Sequence, residues 1–207
     1  MKNRGLAGTH QHRTELLDEL PTVTNSDIIF LGNSLTQYCE WSEVFQNTNI
    51  KNRGIAGDGV EGVLKRLPKI LDGKPKAIFL MIGVNDLFYH DVKFITAFYE
   101  KILDLCKSKS KETSVVVQSL LPVNNEIKKI QIGNESIEEL NARIKELAER
   151  FNYQFIDLNK EFKNESGKLN PDFSVDGIHI NGRGYALWRD ILRKEFDFLY
   201  NPKTSHK

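Results

Sequence analysis

Five short apolar runs punctuate the chain, at Asp27–Leu31, Ile50–Arg53, Ala77–Ile82, Ser114–Gln118 and Gln154–Asp157. Most are rich in Ile, Val or Phe and most end in a cluster of Gly, Asn, Asp or Ser, the pattern of buried strands that stop at turns. Between them the apolar spacing changes to a helical one. Gly59–Leu71 carries Val60, Val63, Leu64 and Leu67; Lys93–Lys107 carries Phe94, Ile95, Phe98, Ile102 and Leu105. Ile137–Phe151 aligns Ile137, Leu140, Ile144, Leu147 and Phe151, and Gly184–Leu199 offers Leu187, Ile191 and Phe198. A further helix near Thr14–Leu20 stops at Pro21, within a helical extension over about residues 1–24, and Asn201–Lys207 reads as a frayed tail.

Strand followed by helix, repeated, predicts the α/β class: a doubly wound parallel sheet of five strands covered on both faces, three layers in all. With strand order 2-1-3-4-5 the first three strands are neighbours. Ligands in such sheets bind beyond the carboxyl ends of the strands, so the loops there are where chemistry is expected.

Composition narrows the function classes. The 207 residues suit one domain over 1–207, without internal repeat or linker. Twenty-nine basic against 28 acidic residues leave a net charge of +1, no footprint for nucleic acid or an anionic membrane. The run Lys107–Lys111 reads as a solvated helix end. Cys39 and Cys106 are too few for a disulfide framework and lack metal-ligand spacing. No apolar signal region opens the chain and no stretch is long enough to span a bilayer. The expectation is a cytoplasmic protein as the chain stands, or a periplasmic or secreted one had a signal been removed before residue 1.

Four loops carry the candidate chemistry: Gly32-Asn33-Ser34 after the first run, "NRGIAGDG" (52–59) after the second, "GVND" (83–86) after the third, and "DFSVDGIHIN" (172–181) after the fifth. Ser34 is by itself either a turn residue or a nucleophile. A serine nucleophile needs a base, and imidazole is the group matched to neutral pH. His10, His12 and His206 are assigned to flexible ends, and His90 to a surface loop or pocket wall. His179 has Asp176 three residues before it, a spacing that lets a carboxylate reach Nδ1 while Nε2 faces the serine. Oxyanion donors are available from the Ser34 and Gly57 backbone N–H groups and the Asn85 amide. Each of these residues alone has an ordinary turn-forming explanation; their company after neighbouring strands is what selects the chemistry.

Taken together, "FLGNSLT", "NRGIAGDG", "IGVND" and "DGIHIN" resemble the four blocks of the SGNH hydrolases, the GDSL-like lipase/acylhydrolase family, in the family's order from about Asp27 to Trp188. "EWSEVFQNTNIKNRGIAGDGVEGVLKRL" and "QSLLPVN" are most similar to members near the platelet-activating-factor acetylhydrolase subunits and bacterial sugar O-acetylesterases. The resemblance implies a flavodoxin-like fold and a serine esterase without metal or cofactor, with Ser34, Asp176 and His179 catalytic and Ser34, Gly57 and Asn85 forming the oxyanion hole. It implies short acyl groups, acetyl esters and O-acetylated carbohydrates among them, as small-molecule substrates of a monomer or homodimer. Asn33, Leu87, Phe88 and Pro122, with Tyr89 and the Leu120–Asn125 loop, are the expected substrate contacts. The alternatives are a thioesterase or lysophospholipase for longer chains, or a non-catalytic carbohydrate- or partner-binding module on the same scaffold. One departure stands out: Asn33 replaces the usual Asp of the Gly-Asp-Ser block. Thr36, at the second glycine position of a Gly-x-Ser-x-Gly elbow, separates the chain from the α/β-hydrolases.

Overall fold

A computed structural model describes residues 4–200. Helix α1 (Arg4–Glu19) precedes strand β1 (Ile28–Gly32), the short helices α2 (Ser34–Gln37) and α3 (Trp41–Val44), and β2 (Ile50–Gly54). The chain continues through α4 (Val60–Asp72), β3 (Ala77–Met81), α5 (Val92–Lys109), β4 (Ser114–Gln118) and α6 (Asn134–Phe151). It ends with β5 (Gln154–Ile156), α7 (Asn159–Phe162) and α8 (Gly182–Glu195). The five strands form one parallel sheet in the order β2-β1-β3-β4-β5, the predicted flavodoxin-like architecture.

Both central strands, β1 and β3, are buried at every position, as strands covered on two faces must be. Alternation along them separates two halves of the core. Phe30 and Phe79 stack on each other (4.9 Å) and face the layer containing Trp41, 4.3 Å from Phe30, and Phe196, 5.1 Å from Phe79. Helices α4, α5 and α6 lie side by side and bury Val63, Leu67, Ile95, Ile102, Leu140 and Ile144. Their limits have local causes. The Asp91 carboxylate accepts the Phe94 N–H to start α5, and Asn152 ends α6 in a left-handed conformation (φ 59°).

Two terminal expectations change. Helix α1 begins at Arg4, ten residues before the predicted start, so His10 and His12 belong to a helix and not to a flexible end. Arg13 explains its docking: Nε donates to the Gly54 carbonyl (3.2 Å) and Nη2 to that of Asn52 (3.4 Å), covering acceptors on the edge strand β2. At the other end α8 stops at Glu195, and a separate 3₁₀ turn covers Asp197–Leu199. Phe196 leaves helical geometry there (φ −138°, ψ 89°) because its ring turns inward against Phe79. The expected tail Asn201–Lys207, with His206, lies outside the described residues. Among the described residues no helix is long and apolar enough to cross a membrane.

Candidate active site

Strand β1 delivers Ser34. Its last residue, Gly32, cannot carry a side chain: a Cβ would lie 2.3 Å from both the Met81 carbonyl and Thr36 Oγ1. Asn33 then caps α2, its Oδ1 accepting the Leu35 N–H at 3.0 Å. Asn33 is 0% exposed, so it supports the loop from inside instead of touching substrate as the sequence suggested. Its Nδ2 is buried without a partner among the described residues. Ser34 follows as the first residue of α2, 7% exposed, with Oγ 3.1 Å from His179 Nε2. Two ties fix the helix behind it. Asn52 Nδ2 reaches the carbonyls of Thr36, Gln37 and Cys39 at 2.9–3.0 Å, and the Tyr185 hydroxyl donates to the Leu35 carbonyl at 2.9 Å. Tyr185 thereby links the helix that carries Ser34 to α8, which follows the histidine loop.

Asp176 and His179 form a compact turn. Asp176 Oδ1 accepts the backbone N–H groups of Ile178 (3.1 Å) and His179 (2.9 Å), while Oδ2 lies 3.0 Å from His179 Nδ1. A carboxylate there selects the tautomer protonated on Nδ1, which leaves the Nε2 lone pair facing Ser34. Burial alone would raise the Asp176 carboxyl. The His179 N–H, the imidazole and the Ile178 N–H outweigh it and hold the acid below its ordinary value. The turn needs Gly177, whose φ is 88° and whose added Cβ would lie 2.5 Å from the Asn124 carbonyl. Asn124 in return donates its N–H to the Gly177 carbonyl at 2.8 Å, so the loop after β4 supports the histidine turn from beneath.

The loops after β2 and β3 meet at Asp58. Gly57 has φ 81°, and an added Cβ would meet nothing within 4 Å, so open space lies before it. Asn85 Nδ2 donates to the Asp58 carbonyl at 2.8 Å. A primary amide has a second N–H, which that bond leaves for another acceptor. Next to it, Asp86 accepts the Val60 N–H with both oxygens (3.0 and 3.2 Å), capping α4 from a neighbouring loop. Gly59 permits this approach, since a Cβ there would stand 2.4 Å from Asp86 Oδ1.

Burial pushes the Asp86 carboxyl up to about 6, against the bonds it accepts. The folded state then holds that proton more tightly than the unfolded chain. Its contribution to stability is largest below the ordinary carboxylate range and is lost as pH rises through about 6. The unfolding free energy of wild type relative to Asp86→Asn is therefore expected to fall by on the order of 2–3 kcal/mol between pH 4 and pH 7. Urea titrations of both proteins across that range measure it; a flat difference would contradict the raised value.

Other candidates fall into place differently. Leu87 and Phe88 are half-buried and pack back against the core, Pro122 is buried, and Tyr89 is exposed. His90 is exposed with its ring stacked 4.0 Å from that of Phe94. Cys39 and Cys106 are buried, and burial, aided at Cys39 by the nearby Glu40 carboxylate, pushes both thiols up to about 12, far from a reactive thiolate. Sequence reasoning gave no role to Asn52, Asp58, Arg66 or Tyr185 and took Asn124 only as part of a loop near substrate; most of their partners belong to other elements that meet them only on folding. For Asp58 alone a local signal existed, its place directly after Gly57.

Comparison with known proteins agrees with this frame. Residues 30–187 match the GDSL-like Lipase/Acylhydrolase family. The platelet-activating factor acetylhydrolase IB subunit alpha1 of Pongo abelii is 29% identical over 166 residues, 77% of this chain and 71% of that protein. Among solved structures, a candidate platelet activating factor from Streptococcus pneumonia is 27% identical, with a TM-score of 0.84 and 96% of each chain covered. An acetyl xylan esterase, AlAXEase, shares the fold at 21% identity and a TM-score of 0.69, over 82% of this chain and 98% of that one. Since the family match runs from the strand before Ser34 to the helix after His179, the chain belongs to the GDSL-like lipase/acylhydrolase family of ester-cleaving hydrolases.

Proposed function

We propose that Ser34, His179 and Asp176 are the catalytic triad of this acylhydrolase and that it removes short, acetyl-type acyl groups from small-molecule esters. The observation that carries this reading is the continuous relay from Ser34 Oγ to His179 Nε2 (3.1 Å) and from His179 Nδ1 to Asp176 Oδ2 (3.0 Å). In the first step Nε2 takes the hydroxyl proton as Oγ attacks the ester carbonyl. The resulting oxyanion is held by the N–H groups of Ser34 and Gly57 and by Asn85 Nδ2. His179 then gives the proton to the departing alcohol, and an acyl group remains on Ser34. Water, activated by the same imidazole, releases the acid and restores the serine.

Asn85→Ala removes one oxyanion donor whose amide is already oriented by the Asp58 carbonyl. The expected effect is a loss of about 100- to 1,000-fold in kcat with KM nearly unchanged, because the missing bond matures only in the transition state. Steady-state kinetics on p-nitrophenyl acetate read both parameters; a loss confined to KM would assign Asn85 to ground-state binding.

Two features support a short acyl group. Leu87, Phe88 and Pro122 pack inward, and Asn33 is enclosed, which leaves these residues little freedom to form a long apolar channel. Relatives at 27–29% identity are named as acetylhydrolases. The alcohol leaves beside His179, where Tyr38 is 54% exposed and its ring centre lies 5.6 Å from the imidazole. A flat aromatic face in that place suits a carbohydrate ring, whose C–H face can lie against it, and favours O-acetylated sugars. A series of p-nitrophenyl esters from acetate to decanoate, with an acetylated xylooligosaccharide alongside, tests the substrate class. The expected kcat/KM falls about tenfold or more beyond butyrate; a maximum at octanoate or longer would favour a lysophospholipase or thioesterase.

A further inference from the structure

We propose that Arg66 is a positioning residue for the oxyanion hole, setting the distance between Ser34 and Gly57 through the ends of β1 and β2. The inference rests on the triad and oxyanion reading above. Arg66 projects from α4, and among the described residues its side-chain hydrogen bonds go to the ends of β1 and β2 and to Asp58. Nη2 donates to the carbonyl of Gly32, two residues before Ser34, at 3.0 Å; Nη1 donates to the carbonyl of Arg53, at the end of β2, at 2.6 Å. Nε and Nη2 reach Asp58 Oδ2, immediately after Gly57, at 3.0 and 2.9 Å. One rigid planar group thus spans the segment that presents the nucleophile and the segment that presents the oxyanion donor.

The partner is built for this purpose. The Asp58 side chain is 3% exposed and that of Arg66 is 15% exposed. Asp58 lies flat on α4 because residue 62 is glycine: a Cβ there would sit 1.8 Å from Oδ1. Its Oδ1 also accepts the Gly59 N–H at 3.1 Å and lies 3.4 Å from His10 Nε2 on α1. Its carbonyl accepts Asn85 Nδ2 at 2.8 Å, so the same residue orients the second oxyanion donor. On the far side of Gly57, Gln37 Oε1 accepts the Ala56 N–H at 2.7 Å. Gly57 is therefore pinned on both flanks, once through α2 and once through Arg66, while the space before it stays open.

Burial of the Arg66 guanidinium tends to lower its affinity for a proton, and Asp58 opposes that by charge and hydrogen bond. Charge alone does not account for the arrangement. Lysine would keep a cation near Asp58 but has no planar fork to hold Gly32, Arg53 and Asp58 together. A role confined to holding the fold predicts that loss of Arg66 lowers stability and leaves each folded molecule fully active. A positioning role predicts that folded molecules turn over more slowly at unchanged substrate affinity, since small displacements of an oxyanion donor are felt in the transition state.

The test uses the full chain as wild type, Arg66→Lys and Asp58→Asn, which cuts the same pair from its other side. Thermal midpoints, kcat and KM for p-nitrophenyl acetate, and inhibition by a trifluoromethyl ketone are measured, with kcat taken per active site titrated by a fluorophosphonate. The ketone forms a tetrahedral adduct whose oxyanion uses the same donors. The expected result for either variant is a fall of about 10- to 100-fold in kcat, KM within about threefold, and a matching rise in the ketone inhibition constant. Either variant that folds reads the outcome, so failure of one to fold leaves the other decisive. Wild-type kcat and ketone affinity per titrated site in a folded variant would overturn the role of Arg66, as would a loss confined to KM. Wild-type activity in Ser34→Ala would instead overturn the triad reading on which it rests.

Discussion

Ser34→Ala is expected to lower kcat for acetyl-ester hydrolysis by about five to six orders of magnitude, leaving only what binding and the oxyanion donors can do for direct attack by water. The size follows from the sequence of events at Oγ. Without it no acyl-enzyme forms, and His179 has no hydroxyl 3.1 Å away from which to take a proton. The fold is expected to survive. Ser34 stands in the first turn of α2, where alanine is a good helix former, and the cap that starts the helix comes from Asn33. Loss of one hydrogen bond costs about 1 kcal/mol. Stopped assays over long incubation measure the residual rate, and circular dichroism measures the melting midpoint. A folded variant with activity within tenfold of wild type would remove Ser34 from the reaction.

Asp176→Asn is expected to cost about 10⁴-fold in kcat although it changes only one atom of the side chain. The asparagine Oδ1 can still accept the Ile178 and His179 N–H groups, so the turn keeps its shape. Its Nδ2 then faces His179 Nδ1 as a donor where the carboxylate was an acceptor. Imidazole responds by carrying its proton on Nε2, and the lone pair that should take the Ser34 proton is gone. Because Asp176 is held below the ordinary carboxylate range, it is charged at neutral pH and above. The loss in the variant should accordingly not be recovered by raising the pH to 8 or 9. A kcat–pH profile for both proteins reads this, and recovery to wild-type rates at high pH would contradict the tautomer explanation.

Much of the architecture was legible because it depends on patterns local in sequence. Doubly buried runs such as Ile28–Leu31 and Ala77–Met81 announce parallel strands, and helical spacing in α4, α5 and α6 announces their covers. The candidate site was legible for a different reason: Gly57 and Gly177 occupy turns whose positive φ favours glycine, Ser34 opens α2 directly after β1, and the loops concerned follow strands. What remained hidden is the set of partners that meet only after folding. Tyr185 and Leu35 are 150 residues apart, and Asn124 meets Gly177 with α6, β5 and α7 between them in the chain. Asn33 shows the opposite error. Its place beside Ser34 suggested contact with substrate, yet the cap it provides for α2 draws the side chain inward. The start of α1 was missed because its helical pattern is weak, and Arg13 on the β2 edge supplies what periodicity does not.

The orphaned Asn33 Nδ2 gives the loop a character that an aspartate would not. A carboxylate in that enclosed place would carry a charge beside Ser34, with only the Leu35 N–H now seen to satisfy it. The amide avoids that charge and leaves the two N–H donors of Nδ2 unpaired among the described residues, a smaller cost than an enclosed ion with one hydrogen bond.

The most direct measurement of the central claim, that Ser34 is the nucleophile of this acylhydrolase, is mass spectrometry of the protein after reaction with diisopropyl fluorophosphate. Attack by Oγ on phosphorus expels fluoride and leaves a stable phosphoryl-serine. The predicted result is one adduct per chain, on the peptide containing Ser34, with activity lost in proportion to labelling and no adduct in Ser34→Ala. An adduct on another residue, or full activity in protein fully labelled at Ser34, would contradict it.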